Sequence, residues 1–106
     1  MKPQSPSCAN KLKILADTTR LAVLESLLDH PKHVSDLSHL LHIEQSLLSH
    51  HLAQLREAGL VQATREGKTM LYQLAPNVST GAEGKTLDLG CCQLSFPKQT
   101  KKRKSR

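Results

Sequence analysis

The chain reads as a mainly α domain completed by a β-hairpin, and three observations carry that class. Leucines recur at helical spacing in successive short stretches between Ala9 and Leu55. A two-strand pattern around a single glycine, LVQATREGKTMLYQL, follows at 60–74. With one Tyr, one Phe and no Trp, the core must be aliphatic, and 106 residues suffice for one domain of modest core. Pairing of two copies would bury more.

The N-terminal stretch MKPQSPS has two prolines and no periodicity, so 1–7 is expected to be a flexible arm. Ala9, Leu12, Leu15 and Ala16 support a first helix of two to three turns, and Asp17, Thr18 and Thr19 offer N-cap side chains for the next. Leu21, Leu24, Leu27 and Leu28 form the stripe of that second helix, with Val23 at its edge, and it must stop before Pro31. His30 and Lys32 beside the break read as solvated. Val34, Leu37, Leu40 and Leu41 give a short third helix, and a turn around 42–44 leads into EQSLLSHHLAQLREAG.

That stretch organises the chain. Leu48, Leu52 and Leu55 lie at i, i+4 and i+7 on one helical face, while Ser46, Ser49, His50 and Ala53 fall on another. An ordinary amphipathic surface helix has the same periodicity. What separates the two readings is the short helix and tight turn immediately before, which together make a helix-turn-helix. Small polar side chains allow close approach to a DNA major groove, with Gln45, Ser46, Ser49 and His50 as candidate donors and acceptors. Gly59 is placed as the helix C-cap, and Gly67 supplies the positive φ of the hairpin turn at 66–68. Arg65 and Lys68 at the hairpin tip suit phosphate contact, although a turn of this composition can equally be just solvated.

Net charge is +6, yet KQTKKRKSR at 98–106 holds six of the basic residues and no acid, so the remaining 97 residues are formally neutral. This tail is expected to be disordered, and either to favour polyanions without sequence preference or to serve solubility alone. No apolar run approaches the ~18 residues of a membrane span, so no membrane partner is expected and the location is read as cytoplasmic.

From about 10 to 75 the chain resembles the ArsR/SmtB family of winged-helix repressors. The carrying residues are LADTTRLAVLESLL at 15–28, VSDLSHLL at 34–41, LLSHHLAQLREAGLV at 47–61 and REGKTMLYQL at 65–74. The resemblance implies a homodimeric winged helix-turn-helix over 8–75, with the hairpin as wing and a double-stranded DNA operator as partner. It also implies release from that operator when a metal, metalloid or oxidant is sensed, with helix 1 and the C-terminal segment forming the dimer contact.

Two departures redirect the search for the sensor. Arsenic and cadmium sensors of the family often carry Cys-x-Cys at the start of the helix before the recognition helix, where this chain has His33 and Ser35. Zinc sensors place Asp and His ligands on a long C-terminal helix, whereas 76–90 holds three glycines and no His. A conventional zinc site is not expected, and the C-terminal helix is expected to be shortened or replaced.

Three cysteines remain: Cys8, and the adjacent Cys91 and Cys92 in the C-terminal segment 76–97. Free thiols are commonly inert small hydrophobes, and Leu87, Leu89, Leu94 and Phe96 could bury this pair. Adjacent cysteines, however, have Cα atoms about 3.8 Å apart and can reach one soft ion together. Cys8 is the only candidate for a third sulfur, from the same or the partner subunit. The inducer this favours is As(III) or Sb(III), with no resident cofactor required; the rival is a redox switch pairing Cys8 with Cys91 or Cys92.

His39, His42, His50 and His51 do not converge as ligands, since only i, i+3 or i, i+4 pairs on one helix do so and His39 and His42 straddle a helix end. His51 reads as a packing residue. No Ser/His/Asp set, phosphate-cradling glycine loop or carboxylate pair stands out, so the chain is read as no enzyme. Two other functions stay open: a constitutive nucleic-acid-binding module and a protein-interaction winged helix.

Overall fold

The computed structural model describes residues 7–76, 78 and 86–97, so the basic tail and all of the N-terminal arm but Ser7 lie outside the described residues. Four helices come first: α1 Cys8–Leu15, α2 Thr18–Ser26, α3 Val34–Leu41 and α4 Gln45–Glu57. A strand β1, Lys32–His33, precedes α3; β2 Val61–Glu66 and β3 Thr69–Leu74 follow α4; β4 Thr86–Asp88 and β5 Gln93–Ser95 close the described chain.

Local chemistry sets most boundaries. Ser7 caps α1 by accepting from the Asn10 N–H at 3.1 Å. Of the three candidate caps of α2 it is Asp17 that acts, its Oδ1 accepting from the Thr19 and Arg20 N–H groups at 2.9 and 3.0 Å. The α4 C-terminus is a Schellman motif around Gly59 at φ +78: Leu60 N–H donates to Leu55 O at 3.0 Å and Gly59 N–H to Arg56 O at 2.9 Å. In the turn between α3 and α4, His42 is left-handed at φ 58, and both its N–H and that of Ile43 turn back to Ser38 O.

The core is the expected leucine cluster. Leu24, Leu37, Leu48, Leu52, Leu55 and Leu60 are fully buried, from α2, α3, α4 and the start of the wing, and Val23 lies fully inside rather than at an edge. Each such side chain contributes about 1.5–3 kcal/mol by leaving water. Leu12 and Leu40, assigned to apolar faces by spacing, are exposed instead. Their helices are only two turns long, and one buried flank is satisfied by Leu15 in α1 and Leu37 in α3.

The wing is a hairpin registered Val61↔Leu74 to Glu66↔Thr69, which leaves Gly67 and Lys68 as a two-residue turn. Gly67 has φ +63, with Lys68 on the ordinary side, the pattern of a type II′ turn. One strand was invisible to periodicity: Lys32 and His33 pair antiparallel with Tyr72 and Leu71, giving sheet order β1-β3-β2. Two residues are too few to show alternation. Lys32 is correspondingly not solvated, because its Nζ turns back to Ser26 O at the end of α2 and to Asp29 Oδ1.

The described C-terminal segment contains no helix. Leu87 and Leu89, alternating with Thr86 and Asp88, enter the core from β4, and β5 returns through Leu94. Gly90 at φ +92 and Cys91 form the turn, closed by Leu89 N–H to Cys92 O at 2.9 Å and by Gly90 N–H to Asp88 Oδ1 at 2.8 Å. The hairpin is tied to α1 of the same chain, since Lys11 Nζ donates to Leu89 O at 2.9 Å.

The Asp17 carboxyl sits below the usual carboxylate range, chiefly through the hydrogen bond from the Arg20 backbone and, after the opposing effect of burial, through the Arg20 charge. A folded-state value below the unfolded one means that the stabilisation is present above the unfolded pKa and is lost as pH falls through the folded one. Asp17→Ala should therefore cost about 1 kcal/mol at neutral pH, the usual value of an N-cap. In thermal melts that difference should shrink as pH is lowered through the acid range, and a penalty that stays constant with pH would contradict the assignment.

Candidate DNA interface and thiol cluster

Burial of Leu48, Leu52 and Leu55 turns the opposite side of α4 to water. Gln45, Ser46, Ser49, His50 and Ala53 are exposed there, so the sequence-derived set shares one accessible surface. Glu44 caps α4 through its backbone only, with no side-chain hydrogen bond, and its carbonyl accepts first from Leu48. The N–H groups of the first turn, where Gln45 and Ser46 stand, thus have no side-chain cap, and an uncapped helix N-terminus suits phosphate oxygens. The His50 ring lies edge-on to that of His51, with centroids 5.9 Å apart.

Arg65 and Lys68 are both exposed at the far end of the wing, and β2 packs against α4. The acid between them, Glu66, is engaged: its Oε1 meets His33 Nε2 at 2.8 Å, and His33 Nδ1 lies 3.7 Å from Asp36 Oδ2. His33 therefore links β1, the first turn of α3 and the wing. Periodicity could not show this contact, which joins residues 33 positions apart.

The second cluster joins the two ends of the described chain. Cys8, half-buried at the first position of α1, is disulfide-bonded to Cys91 in the β4–β5 turn, with Cα atoms 5.9 Å apart. Cys92 is free and half-buried, its Sγ 3.6 Å from that of Cys8. All three sulfurs lie within 4.8 Å of one another, and all belong to one chain. Among the described residues no histidine or carboxylate joins them, so the donor set is soft sulfur alone. His39, His42, His50 and His51 form no such group.

His51 has a partner that the sequence did not suggest. Arg20 Nε donates to His51 Nδ1 at 3.2 Å, while Arg20 Nη1 donates to Ile14 O at 2.9 Å. The acceptor role of Nδ1 selects the tautomer protonated on Nε2. One guanidinium thus spans α1, α2 and α4.

A short helix, a left-handed turn and a longer helix with an exposed polar face, flanked by a basic-tipped hairpin, define a winged helix-turn-helix DNA-binding protein. Comparison with known proteins gives the same class and a family. Residues 17–63 match the model described as "Bacterial regulatory protein, arsR family". The transcriptional activator HlyU of Vibrio cholerae is 41% identical over 75 residues, covering 71% of this chain and 69% of HlyU. A solved structure of HlyU from Vibrio cholerae N16961 aligns with TM-score 0.65 at 39% identity, over 80% of this chain and 87% of that one. The arsenical resistance operon repressor of Escherichia coli (strain K12) is 41% identical over 71 residues, which cover 66% of this chain and 61% of the repressor. The chain belongs to the ArsR family of transcriptional regulators.

The thiol geometry has a direct chemical readout. Protein purified without reductant should titrate one free thiol per chain, that of Cys92, and three after reduction. Cys92→Ser should lower each count by one; three thiols in the oxidised wild type would contradict the pairing.

Proposed function

We propose that this regulator is a homodimeric repressor that binds operator DNA through α4 and the wing, and that it releases DNA when Cys8, Cys91 and Cys92 take up As(III) or Sb(III). The observation that carries the inducer is the convergence of three sulfurs from opposite ends of one chain, within 4.8 Å and without a competing hard ligand. Adjacent thiols in a β-turn need another group held over them to make a three-sulfur site, and α1 supplies it. In the reduced protein, arsenous acid exchanges its three hydroxyls for three thiolates: three As–S bonds form, and each thiol proton leaves with a hydroxyl as water. The disulfide must first open, a two-electron reduction that a cellular dithiol supplies. That a relative of similar identity is an arsenical resistance operon repressor supports this choice.

The Cys8–Cys91 disulfide favours a second reading, in which oxidation itself is the signal: two thiols lose two electrons to an oxidant and two protons to water, and DNA is released. The two readings differ in what they need. Under strictly reducing, anaerobic conditions arsenite should still dissociate the operator complex on DNA from upstream of the protein's own gene, and Cys91→Ser or Cys92→Ser should abolish that response without weakening repression. A Cys91→Ser, Cys92→Ser double variant that still responds to arsenite would exclude the site.

On the DNA side, Gln45, Ser46, Ser49 and His50 are proposed to reach base edges and phosphates, and Arg65 and Lys68 the flanking backbone. A two-fold dimer places its recognition helices in half-sites about one helical turn, ~34–36 Å, apart. Replacing Ser49 and His50 by Ala should weaken operator binding by at least roughly 5-fold, since each lost base contact is worth about 1–3 kcal/mol, and leave the dimer unchanged by gel filtration. Unaltered preference for operator over random DNA would instead point to a protein-interaction role for this face.

A further inference from the structure

A sensor must move its DNA-reading helix, and the thiol cluster stands on α1 and the C-terminal hairpin rather than on α4 itself. The elements between them are few. Cys8 is the first residue of α1, and Lys11 in the next turn is bound to Leu89 O of the C-terminal hairpin. What happens at the three sulfurs therefore acts on α1, a rod of about 12 Å at 1.5 Å per residue. At its far end stands Ile14 O, which receives Arg20 Nη1 at 2.9 Å.

Between α1 and α4 lies an open groove of about 230 Å³, lined by Asn10, Ile14, Gln54, Glu57 and Ala58. The buried Gln54 Oε1 has no hydrogen-bond partner among the described residues. The two helices thus leave one side of their contact open, while Leu15 at the end of α1 stays buried in the common core. The polar bridge beside it is well defined by comparison. Arg20 is anchored through its own N–H to the Asp17 carboxylate, and its planar fork reaches Ile14 O on one side and His51 Nδ1 on the other. His51 sits one turn after Leu47 and next to His50, on the helix that presents the DNA-facing residues.

We propose that Arg20 is the positioning residue that couples the thiol cluster to DNA, because a single guanidinium holds both the C-terminal carbonyl of α1 and the His51 ring of α4. Displacement of α1 at Cys8 shifts Ile14 O, and the guanidinium keeps both hydrogen bonds only if α4 follows. This rests on the proposed thiol sensing for its input; the bridge itself is independent of which reagent acts there. Lysine cannot replace it, since one ammonium lacks the fork that spans two acceptors on different helices.

The test uses the full-length Arg20→Lys variant, compared with wild type by circular-dichroism melting, arsenite stoichiometry and operator affinity with and without arsenite under reducing conditions. The variant should stay folded, bind one arsenite per chain and keep its arsenite-free operator affinity within a few-fold. Its response should collapse: allosteric couplings usually change affinity about 5- to 150-fold, and this ratio should fall toward 1. A ratio equal to that of wild type overturns the coupling role while leaving arsenite sensing intact. If wild-type DNA binding ignores arsenite, the proposed inducer fails, and the coupling is then read from the His51 imidazole nitrogen signals on closing the Cys8–Cys91 disulfide. Those signals should shift in wild type and not in Arg20→Lys or in Cys8→Ser; a His51 signal that never moves overturns the bridge. A variant that fails to melt cooperatively is replaced by His51→Phe, which removes the acceptor from the other side; its affinity ratio should likewise fall toward 1, taken with and without arsenite or, where arsenite is not the inducer, with the Cys8–Cys91 disulfide open and closed, and a ratio equal to that of wild type overturns the coupling.

Discussion

The exposed polar face of α4 depends on the burial of the opposite edge of the same helix. Leu48, Leu52 and Leu55 are fully enclosed by Val23 and Leu24 of α2 and Leu37 of α3, among others, within a single aliphatic core. Fixing three residues at i, i+4 and i+7 fixes the rotation of the helix, and with it the exposure of Ser46, Ser49 and His50. Neither face is set by its own chemistry alone. The polar side is outward because the apolar side gains several kcal/mol by leaving water, and the turn at His42 and the cap at Gly59 place the helix ends where that packing can occur.

The same economy appears at the chain ends. A core with one tyrosine and one phenylalanine is small, and the C-terminal segment adds to it as a strand pair, through Leu87 and Leu89, rather than as a helix extending away from the body. The family's C-terminal helix is thereby replaced in the described residues by a hairpin whose turn carries two cysteines against the start of α1. A thiol cluster built this way draws all three sulfurs from one chain. The cluster is held against the start of α1, whose other end meets α2 and α4 through the Arg20 bridge beside the buried Leu15.

Several elements were legible because their physics is local. Helix periodicity, the Asp17 cap, the glycine C-cap and the glycine turn of the wing each depend on residues within a few positions of one another, so α1 to α4 and the β2–β3 hairpin could be read from spacing. The exposed set Gln45, Ser46, Ser49 and His50 followed from the same periodicity, as did Arg65 and Lys68 from the turn. Where the local rule was weak, it misled: two-turn helices carry too few residues to tell Leu37, which is buried, from Leu40, which is not. The alternation of Thr86, Leu87, Asp88 and Leu89 did hold a strand signal, but four residues beside a glycine-rich stretch give it little weight.

By itself, then, the sequence determined the helix-turn-helix, the wing, the aliphatic core, the family and the three sulfurs as the distinctive chemistry of this chain. Only the tertiary structure decided that Cys8 meets Cys91 and Cys92 within one subunit, that Lys32 and His33 add a strand to the wing, that His33 engages Glu66, and that Arg20 joins Ile14 to His51. Each of these is a contact between residues distant in sequence or on different elements. Such contacts carry no periodicity of their own: they exist because packing the leucine faces leaves their side chains adjacent, and that adjacency is a property of the assembled core rather than of any one segment.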